Sequence, residues 1–262
     1  MNTTGVVLAV ANQKGGVGKT TTTINLGAAL AAAGQRVLLV DLDPQANTTS
    51  GLGLDKRRVE STVYEALIGQ TTLPEVVVAT DWPGLDLAPS AIRLAGAEIE
   101  MVGLMAREQR LRRALTDVMA RYDVALIDCS PSLGILTVNA LTAADSILIP
   151  IQCEYLALEA LGQLVSTISL IRDNLNARLT IAGMVMTMFD GRTNLSQQVV
   201  DDVRAHFPEA IFETIIPRSV RLSEAPSYGK PILAYDPSSR GSVAYRRLAE
   251  ELIGRLHLGD SP

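Results

Sequence analysis

The stretch Gln13-Lys14-Gly15-Gly16-Val17-Gly18-Lys19-Thr20-Thr21 decides the fold. Residues 6–11 before it are an apolar run that reads as a short buried strand. Residues 22–33 after it are rich in Ala and Leu and read as a helix, with Gly34 at its C-cap. Strand, glycine loop and helix in that order are the setting of a phosphate-binding loop. The ordinary pattern G-x-x-x-x-G-K-[ST] places glycine at position 13, where this chain has Gln13 followed by Lys14. The stretch is better read as K-G-G-x-G-K-T-T, which adds a second lysine. Gly15, Gly16 and Gly18 let backbone N–H groups turn onto phosphate oxygens without a Cβ in the way. The helix behind them aims its positive end at the same anion. In that cradle, which includes Val17, Lys19 is expected on the β- and γ-phosphates, the Thr20 hydroxyl on Mg2+, and Thr21 on the α-phosphate. The chain has four lysines, at 14, 19, 56 and 230, and two lie in this loop, so chance placement is a poor account of them.

With 262 residues the chain can bury a substantial core; at 47% hydrophobic but 4% aromatic residues, that core is Ala, Val, Leu and Ile. The net charge of −5 argues against a protein that coats nucleic acid with its whole surface, while leaving room for a local basic patch. No apolar run has the length of a bilayer span, and no secretory leader precedes the first strand, so a cytoplasmic location is expected. Cys129 and Cys153 lack C-x-x-C spacing and read as small buried residues rather than a disulfide or metal site.

Beyond the loop, strands and helices alternate. Residues 36–40 form a second strand ending in Asp41-Leu42-Asp43-Pro44-Gln45. Carboxylates at the carboxyl end of a parallel strand lie where open α/β sheets bind ligands. Asp41 is then expected to face the phosphates and Mg2+, and Asp43 to orient a water for attack on the γ-phosphate. Residues 47–53 read as a polar loop responsive to that phosphate. Helices are expected over 62–68, 91–100, 107–121 (amphipathic and arginine-bearing), 133–141, 156–175, 194–206 (capped by Asn194) and 242–256. Strands are expected over 85–88, 123–127, 146–151 and 180–188. The strand at 123–127 closes on Asp128, the Walker B pattern in which a carboxylate holds the Mg2+ shell. The alternation argues for one α/β domain over 1–262, a doubly wound, mainly parallel sheet flanked by helices. Arg192, Arg218, Arg221 and Arg240 lie on loops of the last third, with Lys230. Such arginines suit nucleic-acid backbone phosphates. Ion pairing with Asp190 or Glu224, at ~0–1 kcal/mol a pair, fits the same spacing, which does not choose between the two.

Four stretches together resemble the ParA/MinD group of deviant-Walker P-loop ATPases, and within it the Soj type of ParA. They are residues 12–21, Asp41 to Gln45, Asp128-Cys129-Ser130-Pro131-Ser132-Leu133, and the run from Ile216 through Ser227. The resemblance implies an ATP-dependent DNA-segregation ATPase of weak intrinsic activity. ATP with Mg2+ would assemble a sandwich homodimer in which Lys14 reaches the partner's nucleotide. The dimer would bind double-stranded DNA without sequence preference, and a ParB-type centromere-binding protein would stimulate hydrolysis and release. Catalytic roles then fall to Lys14, Lys19 and Asp43. The adenine falls to the backbone around Pro217 and Ser219, and DNA contact to Arg192, Arg218 and Arg221. The resemblance also implies a cytoplasmic, nucleoid-associated protein without an N-terminal DNA-reading extension, since the loop begins by residue 13. A MinD-like membrane-cycling regulator is the alternative, and it asks for a basic amphipathic helix at the C-terminus, where Glu250 and Glu251 dilute the arginines. An iron–sulfur donor of the nitrogenase type asks for other cysteine placements, a metal-cofactor carrier for a C-x-x-C, and a small-molecule kinase has no need of Lys14.

Overall fold

Short runs of Val, Leu, Ile and Ala punctuated by polar turns pair into one eight-stranded sheet; the computed structural model describes residues 5–154 and 157–258, without the side chains of 157–160. In chain order the strands are β1 (Val6–Val10), β2 (Val37–Leu42), β3 (Val78–Ala79), β4 (Leu85–Ala88), β5 (Val124–Cys129), β6 (Ser146–Gln152), β7 (Thr180–Phe189) and β8 (Ile211–Pro217). The α-helices are α1 (Lys19–Ala32), α2 (Asn47–Gly51), α3 (Val63–Ile68), α4 (Leu73–Val76), α5 (Leu94–Glu100), α6 (Arg110–Thr116) and α7 (Ile135–Ala143). They continue with α8 (Ala157–Asn174), α9 (Asn194–His206), α10 (Val220–Glu224), α11 (Ile232–Tyr235) and α12 (Arg240–Leu256).

The sheet order is β3-β4-β2-β5-β1-β6-β7-β8, and every described pairing is parallel except β3 with β4. Parallel strands covered on both faces read as continuous apolar runs, and the side-chain alternation shows why. Val7, Ala9, Ala125 and Ile127 enter one core, which α7, α8 and α9 close. Leu8, Val10, Val124 and Leu126 enter the other, which α1 and α12 close with Ile24, Leu26, Tyr245, Leu248 and Leu252. The expected doubly wound sheet is therefore the observed one. β1 lies between β5 and β6, where the connections turn from one half of the sheet to the other, and the glycine loop leaves its carboxyl end. That crevice is where open sheets of this type hold ligands.

Several boundaries differ from the sequence expectation for local reasons. α1 begins at Lys19, so Lys19, Thr20 and Thr21 form its first turn rather than the end of the loop. The stretch expected as loop, 47–53, contains α2. The Thr49 amide and hydroxyl both donate to Asp41 there, and the Ser50 hydroxyl donates to the Ala46 carbonyl. The single helix expected over 107–121 is broken into 3-10 turns at Arg107–Gln109 and Met119–Arg121 around α6. Asn139 breaks it. Its amide donates to the Arg107 carbonyl at 2.8 Å and its carbonyl accepts from the Leu111 N–H at 3.1 Å, intercepting the bond that would join those residues in a continuous helix. α9 is capped by the Thr193 hydroxyl rather than by Asn194, and α12 starts two residues early, at Arg240, behind the Ser239 cap. α8 matches the helix expected over 156–175, with residue 156 itself outside the described residues. β3 and β8 were not expected, and they are the two edges of the sheet. On the β8 side, the Glu251 carboxylate accepts from the Glu213 and Thr214 N–H groups, and the Arg255 guanidinium donates to the carbonyls of Ala182, Ala210 and Ile211.

Candidate functional site

The glycine loop needs left-handed backbone at two positions, and glycine supplies it: φ is 76° at Gly16 and 89° at Gly18. Gly18 is the N-cap of α1 without a side-chain cap, so the first-turn N–H groups are left for an incoming acceptor. The two lysines of the loop have opposite surroundings. Lys19 is 7% exposed, and its ammonium donates to the Lys14 carbonyl at 3.0 Å, which folds it into the loop. Burial lowers its pKa, while Asp128, Cys129 and Asp43 act in the other direction. Lys14 stands at the rim. Its backbone N–H is held by Asn12 Oδ1, but its ammonium has Glu154 at 3.4 Å, with both side chains substantially exposed.

Asp41 and Asp128 face each other in register across β2 and β5 and are fully buried. The Thr20 and Thr48 hydroxyls donate to Asp128 Oδ2 at 2.8 and 2.7 Å. Asp41 accepts from the Thr49 amide at 2.8 Å and hydroxyl at 2.7 Å. Burial, and then the negative charge of Asp128, raise the Asp41 carboxyl above its ordinary range. Burial likewise raises Asp128, against the hydrogen bonds from Thr48 and Thr20. Two buried, mutually repelling carboxylates with a hydroxyl beside them are a hard oxygen donor set suited to a divalent cation. Among the described residues no group of three His, Cys, Asp or Glu side chains forms a metal cage. A Mg2+ here would therefore take the rest of its shell from phosphate oxygens and water. Asp43 follows at the strand end. Its Oδ1 accepts from the Gln45 N–H at 2.9 Å, its carbonyl accepts from the Ser90 hydroxyl, and its side chain reaches the cleft.

Two adjoining clefts follow from this arrangement. One, of about 350 Å³, runs along Gly15, Gly16, Lys19 and Thr20 to Asp43 and Pro131. The other, of about 230 Å³, lies between Thr21 and the Pro217-Arg218-Ser219 turn, with Tyr245 and Ile216 against it. They share Gly18, Thr21 and Met188. An elongated ligand with a flat end in the smaller cleft and an anionic end in the loop fits this shape. Met188 was not singled out in the sequence. It has φ 53°, costly for a side chain of its size, and it stands at the junction. Thr48, Thr49 and Thr187 were also missed. Thr187 donates to the Val17 carbonyl at 2.8 Å and so fixes the loop from β7. Isolated threonines carry no motif, and only the fold brings them to the carboxylates and the loop.

The loop arginines divide into two kinds. Arg192 is bidentate on Asp190, at 2.9 and 2.6 Å, and Arg221 is paired with Glu224 at 3.1 Å and Asp236 at 3.6 Å. The Asp190 carboxyl is held well below its usual range by the Arg192 side chain. Both ion pairs allowed by the spacing therefore form, while Arg218 lines the smaller cleft beside Pro217. Cys129 and Cys153 are both buried, free and outside these clefts, and burial pushes the Cys153 thiol up to about 12.

Comparison with known proteins adds names. Residues 5–181 match the family model described as an AAA domain. The chain is 55% identical over 95% of its length, and 98% of the relative's, to the sporulation initiation inhibitor protein Soj of Bacillus subtilis. It is 54% identical, over 95% and 94%, to the chromosome partitioning protein ParA of Caulobacter vibrioides. Among solved structures it is similar to a Mycobacterium smegmatis protein named cobyrinic acid a,c-diamide synthase, with bound ATP analogue and magnesium. That structure is 42% identical, has a TM-score of 0.86 and is covered over 97% of each chain.

Proposed function

Since the chain belongs to the Soj/ParA family of chromosome-partitioning proteins, we propose that it is a DNA-segregation ATPase and that residues 1–262 act as one ATPase domain. Lys19 and the open N–H groups of the first turn of α1 hold the β- and γ-phosphates. Thr21 takes the α-phosphate, and Pro217 and Ser219 take the base in the smaller cleft. Thr20, Asp41 and Asp128 hold Mg2+, which supplies charge neutralisation at the phosphate oxygens when bound. Asp43, at the strand end beside the loop, orients the attacking water, and burial in the cleft keeps other water from it. Lys14 acts across a two-fold homodimer on the partner's nucleotide, so each site is complete only in the pair. The dimer doubles every basic contact and binds duplex DNA without reading bases. A ParB-type partner accelerates hydrolysis, and loss of the bridging phosphate ends both dimer and DNA binding. On this reading the protein works in the cytoplasm, on the nucleoid. No described helix is long and apolar enough to cross a membrane. The two partition relatives, at higher identity, set this reading rather than the name carried by the mycobacterial structure.

The observation that carries it is the division of labour between the lysines: Lys19 buried within its own loop, Lys14 presented outward at the rim. The test is binding to a random-sequence duplex with ATP, ADP or no nucleotide, at two salt concentrations. ATP-dependent binding that weakens steeply with salt is expected. A demonstrated ATP dimer that ignores DNA would instead favour a MinD-like membrane-cycling role, which liposome binding would then decide.

A further inference from the structure

We propose that Ser90 is a positioning residue for hydrolysis: its hydroxyl, reaching across from the strand beside β2, holds the strained turn that aims Asp43 at the cleft. The proposal rests on the reading of Asp43 given above and adds the residue that keeps it in place. Asp43-Pro44-Gln45-Ala46 is a turn closed by the Ala46 N–H, which donates to the Asp43 carbonyl at 2.9 Å. Within it the Gln45 N–H donates to Asp43 Oδ1 at 2.9 Å, whereas Asp43 Oδ2 has no hydrogen-bond partner among the described residues. One carboxylate oxygen thus fixes the side chain and the other is left to accept from a water.

The turn is not at rest by itself. Ala46 has φ 54° and ψ 44°, a left-handed conformation in which its Cβ crowds the following carbonyl. Strain of this kind persists only where the surroundings over-determine it. Ala46 is also the N-cap of α2, so a relaxing turn carries Asp43 and the start of α2 with it. The outside hold comes from β4, which pairs with β2. Ser90 lies two residues beyond the end of β4 and is fully buried. Its hydroxyl donates to the Asp43 carbonyl at 2.8 Å, beside the bond from Ala46. Its backbone N–H donates to Thr49 Oγ1 at 2.9 Å, and that hydroxyl donates in turn to Asp41 Oδ2 at 2.7 Å. Both links leave one residue, but by different atoms. The side chain grips the turn that carries Asp43, and the backbone grips α2 and through it Asp41. A substitution at Ser90 therefore cuts the first link and spares the second, which separates the aiming of Asp43 from the carboxylates that face the cation.

The test is phosphate release over an ATP series with Mg2+ and a random-sequence duplex. It compares the unaltered chain, Ser90→Ala, Ser90→Ala with Ala46→Gly, and Asp43→Ala. Misplacing a group at a reacting centre by about 1 Å costs on the order of a hundredfold, so Ser90→Ala is expected to lower kcat roughly ten- to hundredfold. KM, binding of a fluorescent ATP analogue with Mg2+, and ATP-dependent dimerisation should stay within about twofold, as for a contact that matters only in the transition state. Melting should fall by about 2–4 °C, the scale of one buried hydrogen bond whose acceptor keeps its other donor. Glycine adopts left-handed backbone freely, so adding Ala46→Gly should recover most of the lost kcat. An inactive Asp43→Ala beside a Ser90→Ala of unaltered kcat overturns the hold and leaves the Asp43 reading standing. A loss shared equally by analogue binding or dimerisation overturns the hold too, because Ser90 would then serve the fold alone. So does a loss of kcat that Ala46→Gly leaves untouched. If Asp43→Ala hydrolyses ATP at the unaltered rate, both the hold and the reading beneath it fall.

Discussion

If Lys14 acts across the dimer, two inactive variants mixed together should recover activity. Lys14→Gln removes a side chain whose partner, Glu154, lies 3.4 Å away with both groups substantially exposed. Such a pair is worth about 0–1 kcal/mol, so the variant should melt within about 2–4 °C of the unaltered protein. It should also bind nucleotide as before, because Lys19 and the loop amides remain. Stimulated hydrolysis should fall by about 10³ or more, the scale of a charge supplied in trans at a phosphoryl-transfer site. Asp43→Ala should likewise bind ATP and dimerise without turnover. In a mixture of the two, a mixed dimer holds one site with both its own Asp43 and an intact Lys14 from across the interface. With equal amounts combined before ATP is added, half the dimers are mixed and one site in each is whole, which gives roughly a quarter of the normal rate for a two-fold assembly. The assay is phosphate release with DNA and the partner protein present, alongside each variant alone. If the mixture is as inactive as its components while mixed dimers are shown to form, Lys14 works within its own subunit and the trans assignment is wrong.

Other perturbations separate binding from folding. Lys19→Ala should weaken nucleotide binding roughly ten- to hundredfold, from ~1.5–3 kcal/mol for a charged hydrogen bond, measured by titration with a fluorescent analogue. Gly183→Ala would drive a Cβ into the ring of fully buried Phe212, so unfolding by denaturant should show a loss of about 1–3 kcal/mol. Glu75, bonded by the Thr71 hydroxyl and by the Thr72 amide and hydroxyl, has its carboxyl lowered from 4.5 to about 2. Its folded pKa lies below the unfolded one, so its contribution to stability is present above pH 4.5 and is lost as pH falls toward 2. Glu75→Gln should flatten that part of the acid-unfolding profile and leave neutral pH little changed.

The parts of the fold legible in the sequence are those where local pattern and tertiary role agree. The loop from Lys14 to Thr21 specifies its own geometry through glycines. The runs ending at Asp41 and Asp128 announce buried strands because both faces are covered. What escaped reading depends on distant partners. The helix broken after Arg107 looks continuous until Asn139, 32 residues away in sequence, takes its hydrogen bonds. α2 winds in a polar stretch because Asp41 holds Thr49. β8 carries Glu213 and Thr214 amid its apolar residues, a pattern that makes sense only when α12 lies against it. The motifs outline the cleft, whereas Met188 and Thr187 reach it from β7 and Thr48 reaches Asp128 from α2 only through the fold.

The treatment of the sheet's two margins bears on how copies of the chain meet one another. An open strand edge is a template for another chain, and many copies brought together on one polymer raise the chance of such pairing. Here β3 offers two residues, too short to recruit a neighbour, and on β8 the Glu213 and Thr214 amides and the Ile211 carbonyl are claimed by Glu251 and Arg255 from α12. Those two side chains act as a selvedge, the woven border that keeps cloth from unravelling or catching. If the protein gathers on DNA as proposed, that border would leave association to the faces that a ligand controls.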